Sequence, residues 1–148
     1  MTNANESHIL LFMKNYRPLL ESVSLKTTPA RLAVLGFLSE ESNPLTADGI
    51  FDHLKIEHDQ ADRATIYRIL ETFFQKGIIK RLEFGEGRYR YELAGQEHHH
   101  LICENCGAIE DISDCNISEL EKDIIKKKQF LVKRHSLEFF GVCSTCQR

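Results

Sequence analysis

Apolar residues recur at three- and four-residue intervals over roughly the first half of this 148-residue chain and then switch to alternation. Ile9, Leu10, Met13, Tyr16 and Leu20 keep helical spacing through residues 7–23, with Pro18 placed to kink or stop that helix. In Lys26-Thr27-Thr28-Pro29-Ala30-Arg31 a threonine precedes a proline, which marks a second helix start; Leu32, Leu35 and Leu38 supply its apolar stripe. Glu41-Ser42-Asn43-Pro44 ends it, and Thr46 can cap a third helix that buries Ile50, Phe51 and Leu54. A fourth has Asp62 as N-cap and one face of Ile66, Ile69, Leu70, Phe73 and Phe74, closed by Gly77. Residues 78–84 and 88–93 alternate with period two around Gly85-Glu86-Gly87, which predicts a β-hairpin. Short helices followed by a hairpin are the element order of a winged helix-turn-helix module.

The texture changes after Ala94-Gly95-Gln96. Residues 98–103 and 108–112 read as short strands, Ile117, Leu120 and Ile124 mark a helix, and Phe130 to Val142 contains a further strand. All five cysteines lie in this part, four of them in two Cys-x-x-Cys pairs, Cys103/Cys106 and Cys143/Cys146. A two-residue gap lets one backbone knuckle offer two sulfurs to a tetrahedral Zn²⁺ at about 2.3 Å each. The 36 residues between the pairs exceed the roughly 15–20 of a simple zinc ribbon, so one ion would close a whole subdomain. Disulfides or free thiols are the competing reading. Cys115, outside both pairs, reads as a small buried hydrophobe.

The fold expectation is therefore α+β: an N-terminal winged helix-turn-helix domain over residues 1–93, then a small zinc-clamped α+β domain over 97–148. No internal repeat or low-complexity linker interrupts it. The polar start Thr2-Asn3-Ala4-Asn5-Glu6 lacks signal-peptide character, and no apolar run approaches the roughly 18 residues of a membrane span. A cytoplasmic protein with no membrane partner is expected, in a compartment where paired cysteines read as metal ligands before disulfides.

The run His98-His99-His100 has a geometric consequence. Side chains alternate across a strand, so His98 and His100 point one way, and Glu97 and His99 the other. Two further metal sites are then possible. Glu92 at the hairpin's end and Asp111 on the next strand could join His98 and His100; His135 on the last strand could join Glu97 and His99. Nitrogen and carboxylate donors without thiolate suit Fe²⁺, Mn²⁺ or Zn²⁺.

The DNA case rests on Asp62-Arg63-Ala64-Thr65-Ile66-Tyr67-Arg68, at the start of the last helix before the wing. Thr65 and Tyr67 can contact phosphates or thymine methyls, and Arg68 phosphate or guanine. Lys26 and Arg31 can reach backbone or minor groove, and Lys80, Arg81, Arg88 and Arg90 would charge the wing. Composition gives no help: residues 1–96 hold 12 Lys and Arg against 13 Asp and Glu, and the whole chain carries −3. Element order alone carries the case against the reading of solvated faces.

Thr65-Ile66-Tyr67-Arg68, His98-His99-His100-Leu101-Ile102-Cys103-Glu104-Asn105-Cys106-Gly107, His135-Ser136-Leu137-Glu138 and Cys143-x-x-Cys146 together closely resemble the ferric uptake regulator family, from Lys26 to Cys146. The resemblance implies a cytosolic homodimer with an N-terminal winged helix and a C-terminal metal-binding dimerisation domain, which binds palindromic operators when loaded with a regulatory metal and usually represses transcription. It further implies structural zinc at Cys103, Cys106, Cys143 and Cys146. A sensing site at Glu92, His98, His100 and Asp111 follows from it, and a second site at Glu97, His99 and His135. Lys26, Tyr67 and Arg68 fall where members touch DNA. Three departures bear on the metal. Pro44 stands where many iron, manganese and peroxide sensors have a histidine, and the Glu92–Cys103 interval is one residue shorter than in iron regulators. Ser118 falls near the second site's helical glutamate, with Glu119 beside it. Zinc or iron is expected as the regulatory ion, zinc slightly favoured and manganese less so. The alternatives are a metalloenzyme or thiol oxidoreductase, and a zinc-storage or delivery protein. The cysteine pairs lack the βαβ context of a thioredoxin motif, and no nucleophile elbow or phosphate-binding glycine loop appears, so no enzyme is expected.

Overall fold

The computed structural model describes residues 16–58, 62–95, 98–113 and 115–148. The predicted first helix lies partly outside these residues, and so does Glu97. The chain divides into two compact units, Met1–Ala94 and Gly95–Arg148.

In the first unit, helix α1 is described over 16–22. Helix α2 (Pro29–Glu40) starts where the Thr-Pro pair places it: the Thr28 hydroxyl accepts the Arg31 N–H, and Pro29 occupies the first turn, where its missing N–H costs nothing. A two-residue strand β1 (Leu45–Thr46) leads into α3 (Ala47–His58), whose first turn is capped by Thr46 Oγ1 accepting the Gly49 N–H at 3.1 Å. Helix α4 (Arg63–Gln75) is capped by Asp62, which accepts the Thr65 N–H at 2.7 Å; the Thr65 hydroxyl first, and then this N–H, hold the Asp62 carboxyl below its ordinary pKa. The helix ends at Gly77, whose φ of +70° turns the chain out of α4 in a conformation other residues rarely adopt.

Strands β2 (Ile79–Glu83) and β3 (Tyr89–Leu93) form the predicted hairpin, with Arg81 opposite Tyr91 and Lys80 opposite Glu92. The short β1 pairs with the other edge of β3, giving the order β1-β3-β2. Among the described residues, fifteen apolar side chains form one continuous core, with Leu20, Val34, Leu35, Ile50, Ile66, Leu70 and Phe73 wholly out of solvent. A single core shared by α1–α4 and the hairpin fixes α4 relative to the wing, leaving its polar face outside.

The second unit contains β4 (His99–Cys103), β5 (Ile109–Ile112), α5 (Ile117–Lys128) and β6 (Glu138–Gly141). Its sheet order is β5-β4-β6, with β4 antiparallel to β5 and parallel to β6. A parallel pair needs a long crossover, and α5 lies in it. Among the described residues of this unit only His99, His100 and Cys103 are buried. Helix α5 departs from its predicted stripe: Ile117 and Ile124 are half-buried, but Leu120 is exposed and Glu121 takes the inward place between them. Its C-terminus closes on Gln129 in the left-handed region, with three lysines in the last turn favourably placed against the helix dipole.

Candidate functional site

Backbone pairing brings the two cysteine knuckles together. Cys103 ends β4 opposite Gly141 of β6, and the Glu104 N–H donates to the Gly141 carbonyl at 2.8 Å, so Cys143 arrives two residues further on. Each knuckle closes on itself: the Gly107 N–H donates to the Cys103 carbonyl at 2.8 Å, and the Cys146 N–H to the Cys143 carbonyl at 3.0 Å. Gly107 takes φ +73°, which the tight reversal after Cys106 requires.

The four sulfurs all lie within 4.8 Å of one another. Cys106 Sγ and Cys143 Sγ are 3.8 Å apart, and no disulfide forms among the five cysteines. Sulfurs at 2.3 Å from a tetrahedral zinc stand about 3.8 Å apart, whereas a disulfide needs about 2.05 Å. The electrostatics agree. N–H groups of Cys143 and then Cys106 aim at Cys103 Sγ and lower that thiol to about 6, while contact with the Cys143 and Cys106 sulfurs pushes Cys146 up to about 12. One thiolate is prepared, and a second is opposed by its neighbours. A cation among them removes that opposition, so the donor set fits zinc.

The histidine run alternates as a strand should. His98 and His100 stack edge to face, ring centroids 5.0 Å apart, and His100 Nε2 lies 3.6 Å from Asp111 Oδ1 because β4 and β5 pair His100 with Asp111. Glu92 sits half-buried on β3 of the first unit. On the other face His99 Nε2 meets His135 Nε2 at 2.9 Å, and His135 Nδ1 lies 2.9 Å from Glu121 Oε1. His135 sits three residues ahead of β6, in a stretch without regular secondary structure rather than on the expected strand. Ser118 and Glu119 are exposed, and the Ser118 hydroxyl donates to Asn116. Sequence reasoning missed Glu121. Its signal was available: a carboxylate at i+4 from Ile117 and i−3 from Ile124 interrupts an apolar stripe.

In the first unit, Tyr67 and Arg68 are exposed on α4, while Thr65 is half-buried and accepts a 3.2 Å hydrogen bond from Arg68 Nη2. The Tyr67 hydroxyl donates to Asp48 Oδ1 at 3.3 Å, and Arg63 pairs with the same carboxylate while lying over the Phe51 ring. Lys26 is exposed, and Arg31 Nη1 donates to its carbonyl. The wing is less freely charged than its sequence suggests. Arg90 makes a two-point contact with Glu86 at 2.8 and 2.9 Å and donates to the Pro44 carbonyl. Arg81 is held between the rings of Phe74 and Tyr89 and pairs with Glu71, and Arg88 also reaches Glu86. These contacts stiffen the wing and offset part of its charge.

The sequence pattern of the ferric uptake regulator family matches residues 22–140. The chain belongs to the ferric uptake regulator family. It is 34% identical over 131 residues to the ferric uptake regulation protein of Bordetella parapertussis, covering 87% of this chain and 94% of that one. It is 33% identical over 129 residues to the peroxide operon regulator of Bacillus subtilis, covering 87% and 89%. Among solved structures it is similar to the Helicobacter pylori ferric uptake regulator, described as having three functional metal binding sites, with TM-score 0.76, 26% identity and coverage of 95% and 94%. Members of the family are metal-responsive regulators, not enzymes. Among the described residues no helix is long and apolar enough to cross a membrane.

Proposed function

We propose that this family member represses transcription by binding a palindromic operator as a metal-loaded homodimer, and so controls uptake of a metal. Cys103, Cys106, Cys143 and Cys146 hold a structural Zn²⁺. His98, His100 and Asp111 hold the regulatory ion, Zn²⁺ or Fe²⁺, with Glu92 added on the sequence resemblance. His99 and His135 belong to a second site, with Glu97 added on the same ground. The observation that carries the reading is the convergence of His98, His100 and Asp111 on one face of β4 and β5, beside a knuckle built for a separate ion. Nitrogen and carboxylate donors exchange a first-row ion more readily than a four-thiolate cage does, which suits a sensor.

DNA contact falls to the exposed Tyr67 and Arg68 on α4, supported by Thr65, Arg31 and Lys26. Arg63 joins them once phosphate competes with Asp48 for its charge. Homodimerisation is supported by the second unit's exposed apolar side chains: Phe139 and Phe140 on the edge strand β6, and Leu101 and Val142 beside them. A monomer rarely leaves such a group uncovered. The ion acts only through a difference in its affinity for the DNA-competent and incompetent forms; a switch from 1:99 to 99:1 needs about 10⁴-fold, or ~5.5 kcal/mol.

The test is operator affinity against free Fe²⁺, Mn²⁺ or Zn²⁺, measured anaerobically. His98→Ala with His100→Ala is expected to leave a folded dimer that retains its structural zinc yet gains no operator affinity on adding metal. His99→Ala, on the opposite face, is expected to keep most of the response. A greater loss in His99→Ala than in the double variant would show that sensing belongs to the other face.

A further inference from the structure

We propose that Arg63 and Tyr67 form a seat for one DNA backbone phosphate, and that Asp48 is the positioning residue whose carboxylate holds the two donors together until the phosphate displaces it. The proposal deepens, and rests on, the reading that α4 faces DNA.

Arg63 and Tyr67 stand four residues apart on α4, so their side chains leave the same face of the helix. They converge on a single atom of the neighbouring helix. Arg63 Nη1 pairs with Asp48 Oδ1, and the Tyr67 hydroxyl donates to that same oxygen at 3.3 Å. A phosphate oxygen can take the place of such a carboxylate oxygen, and arginine and tyrosine are among the side chains that contact DNA phosphates. Phe51 lies three residues beyond Asp48 on α3, and the Arg63 guanidinium rests over its ring, 4.9 Å from the centroid. Phe51 packs in turn against the core of the unit. That floor keeps the guanidinium in place when the carboxylate leaves.

Exposure separates this ion pair from those that belong to the fold. The side chains of Arg63 and Asp48 are 55% and 51% exposed, and Tyr67 is 46% exposed. A pair so open gains little from its own contact, so an incoming phosphate can replace the carboxylate at small cost. Arg90 is the contrast: its side chain is 19% exposed, gripped by Glu86 at two points and bound to the Pro44 carbonyl. Arg68, further along α4, donates to a neutral partner, the Thr65 hydroxyl. The Asp48 carboxylate therefore has two opposed effects. It gathers the two donors at one point, and it leaves a negative charge beside the phosphate that displaces it. Binding held by phosphate contacts alone is weakened by that charge.

The experiment uses the full chain loaded with zinc and a random-sequence DNA duplex, because a phosphate contact does not depend on sequence. Affinity is read by fluorescence anisotropy between about 50 and 200 mM salt. Arg63→Ala is expected to weaken binding and to make the logarithmic salt slope shallower by about 0.9, so that parent and variant converge about 3.5-fold over this range. Arg63→Lys keeps the charge and should keep the parent slope; a slope as shallow as that of Arg63→Ala would overturn the seat. Asp48→Asn is expected to tighten binding about 2–5-fold, and that gain should vanish when Arg63→Ala is also present. An equal gain in both backgrounds would overturn the role of Asp48, because its charge would then act only by general repulsion of DNA. Weaker binding in Asp48→Asn would overturn it too. Unchanged affinity and slope in Arg63→Ala would overturn the seat itself. Arg68→Ala, measured alongside, separates that failure from failure of the underlying reading. If Arg68→Ala weakens binding, α4 still faces DNA and the seat alone falls; if it is silent as well, the reading of α4 falls with it.

Discussion

The two units of this chain solve the folding problem by different physics. Among its described residues the first encloses fifteen apolar side chains in one cluster, several wholly out of solvent, and places its polar chemistry outside that cluster. Among the described residues of the second, the buried ones are His99, His100 and Cys103, while Phe139 and Phe140 stand exposed on an edge strand. One unit buries hydrocarbon; the other buries imidazole and thiol. A core below about 70–80 residues rarely supplies more than 3–5 kcal/mol, so a unit of that size leans on metal or on a partner. The lesson is that function and stability are separable in the first unit and nearly the same thing in the second.

Metal removal should break this contrast most sharply. Structural zinc sites contribute about 10–16 kcal/mol of apparent binding energy at neutral pH, at or above a typical domain's whole stability. Cys103→Ser, or exhaustive chelation, should release one zinc per chain and unfold the second unit, while helix α4 and the hairpin keep their amide protection. Hydrogen exchange read by mass spectrometry checks this; protection lost equally in both units would mean that they do not fold separately. Zinc affinity should also rise with pH, because Cys146, pushed up to about 12 by neighbouring sulfurs, sheds its proton on binding.

The converse substitution is next in size. Phe73 is wholly buried in the cluster beneath α4, and truncation of such a phenylalanine costs about 3–5 kcal/mol through lost burial and the cavity left behind. Phe73→Ala should lower the unfolding free energy of the first unit, read from its urea midpoint and slope, by that amount while zinc content stays at its parent value. A fall in zinc content together with the midpoint would show the two units to be one cooperative system.

Legibility in the sequence follows the same divide. Helix starts at Thr28-Pro29 and Asp62, the stop at Gly77 and the glycine turn of the hairpin are local decisions, made by residues within four positions of each other, so pattern reading reaches them. The cysteine knuckles are local too, and their spacing announces the donor set before any fold is known. What escaped depends on contacts between distant residues. Glu121 reaches His135 across fourteen positions. Leu120 faces outward where a helical stripe would turn it in. The wing arginines, which the sequence presents as free charge, are occupied by Glu71, Glu86 and aromatic rings that only packing brings near. Helical and strand periods predict which face is buried when hydrocarbon does the burying; they are silent where a carboxylate or an imidazole does.

The smallest effect concerns one of those occupied charges and tests whether the first unit's electrostatics are peripheral to its stability. The Arg90 guanidinium, through its hydrogen bonds and its charge, holds the Glu86 carboxyl below its ordinary value of 4.5. A carboxylate whose folded pKa is depressed adds stability that is fully present above its unfolded pKa. That stability is lost as pH falls through the folded value. Protection of the β2–β3 amides should therefore be flat from neutral pH down to about the ordinary carboxylate range, then decline as Glu86 protonates and releases Arg90. Because the pair is partly open to solvent, the whole decline should amount to no more than about 1 kcal/mol. Glu86→Gln should show the lower protection already at neutral pH and only the residual slope below it. Hydrogen exchange of the Tyr89–Leu93 amides, corrected for intrinsic rates, measures both curves. If parent and variant fell together by an equal amount, the wing's pH response would belong to another group. A loss several times larger would mean that the Glu86–Arg90–Pro44 contact anchors the hairpin to β1, and that this unit too depends on a polar site for its fold.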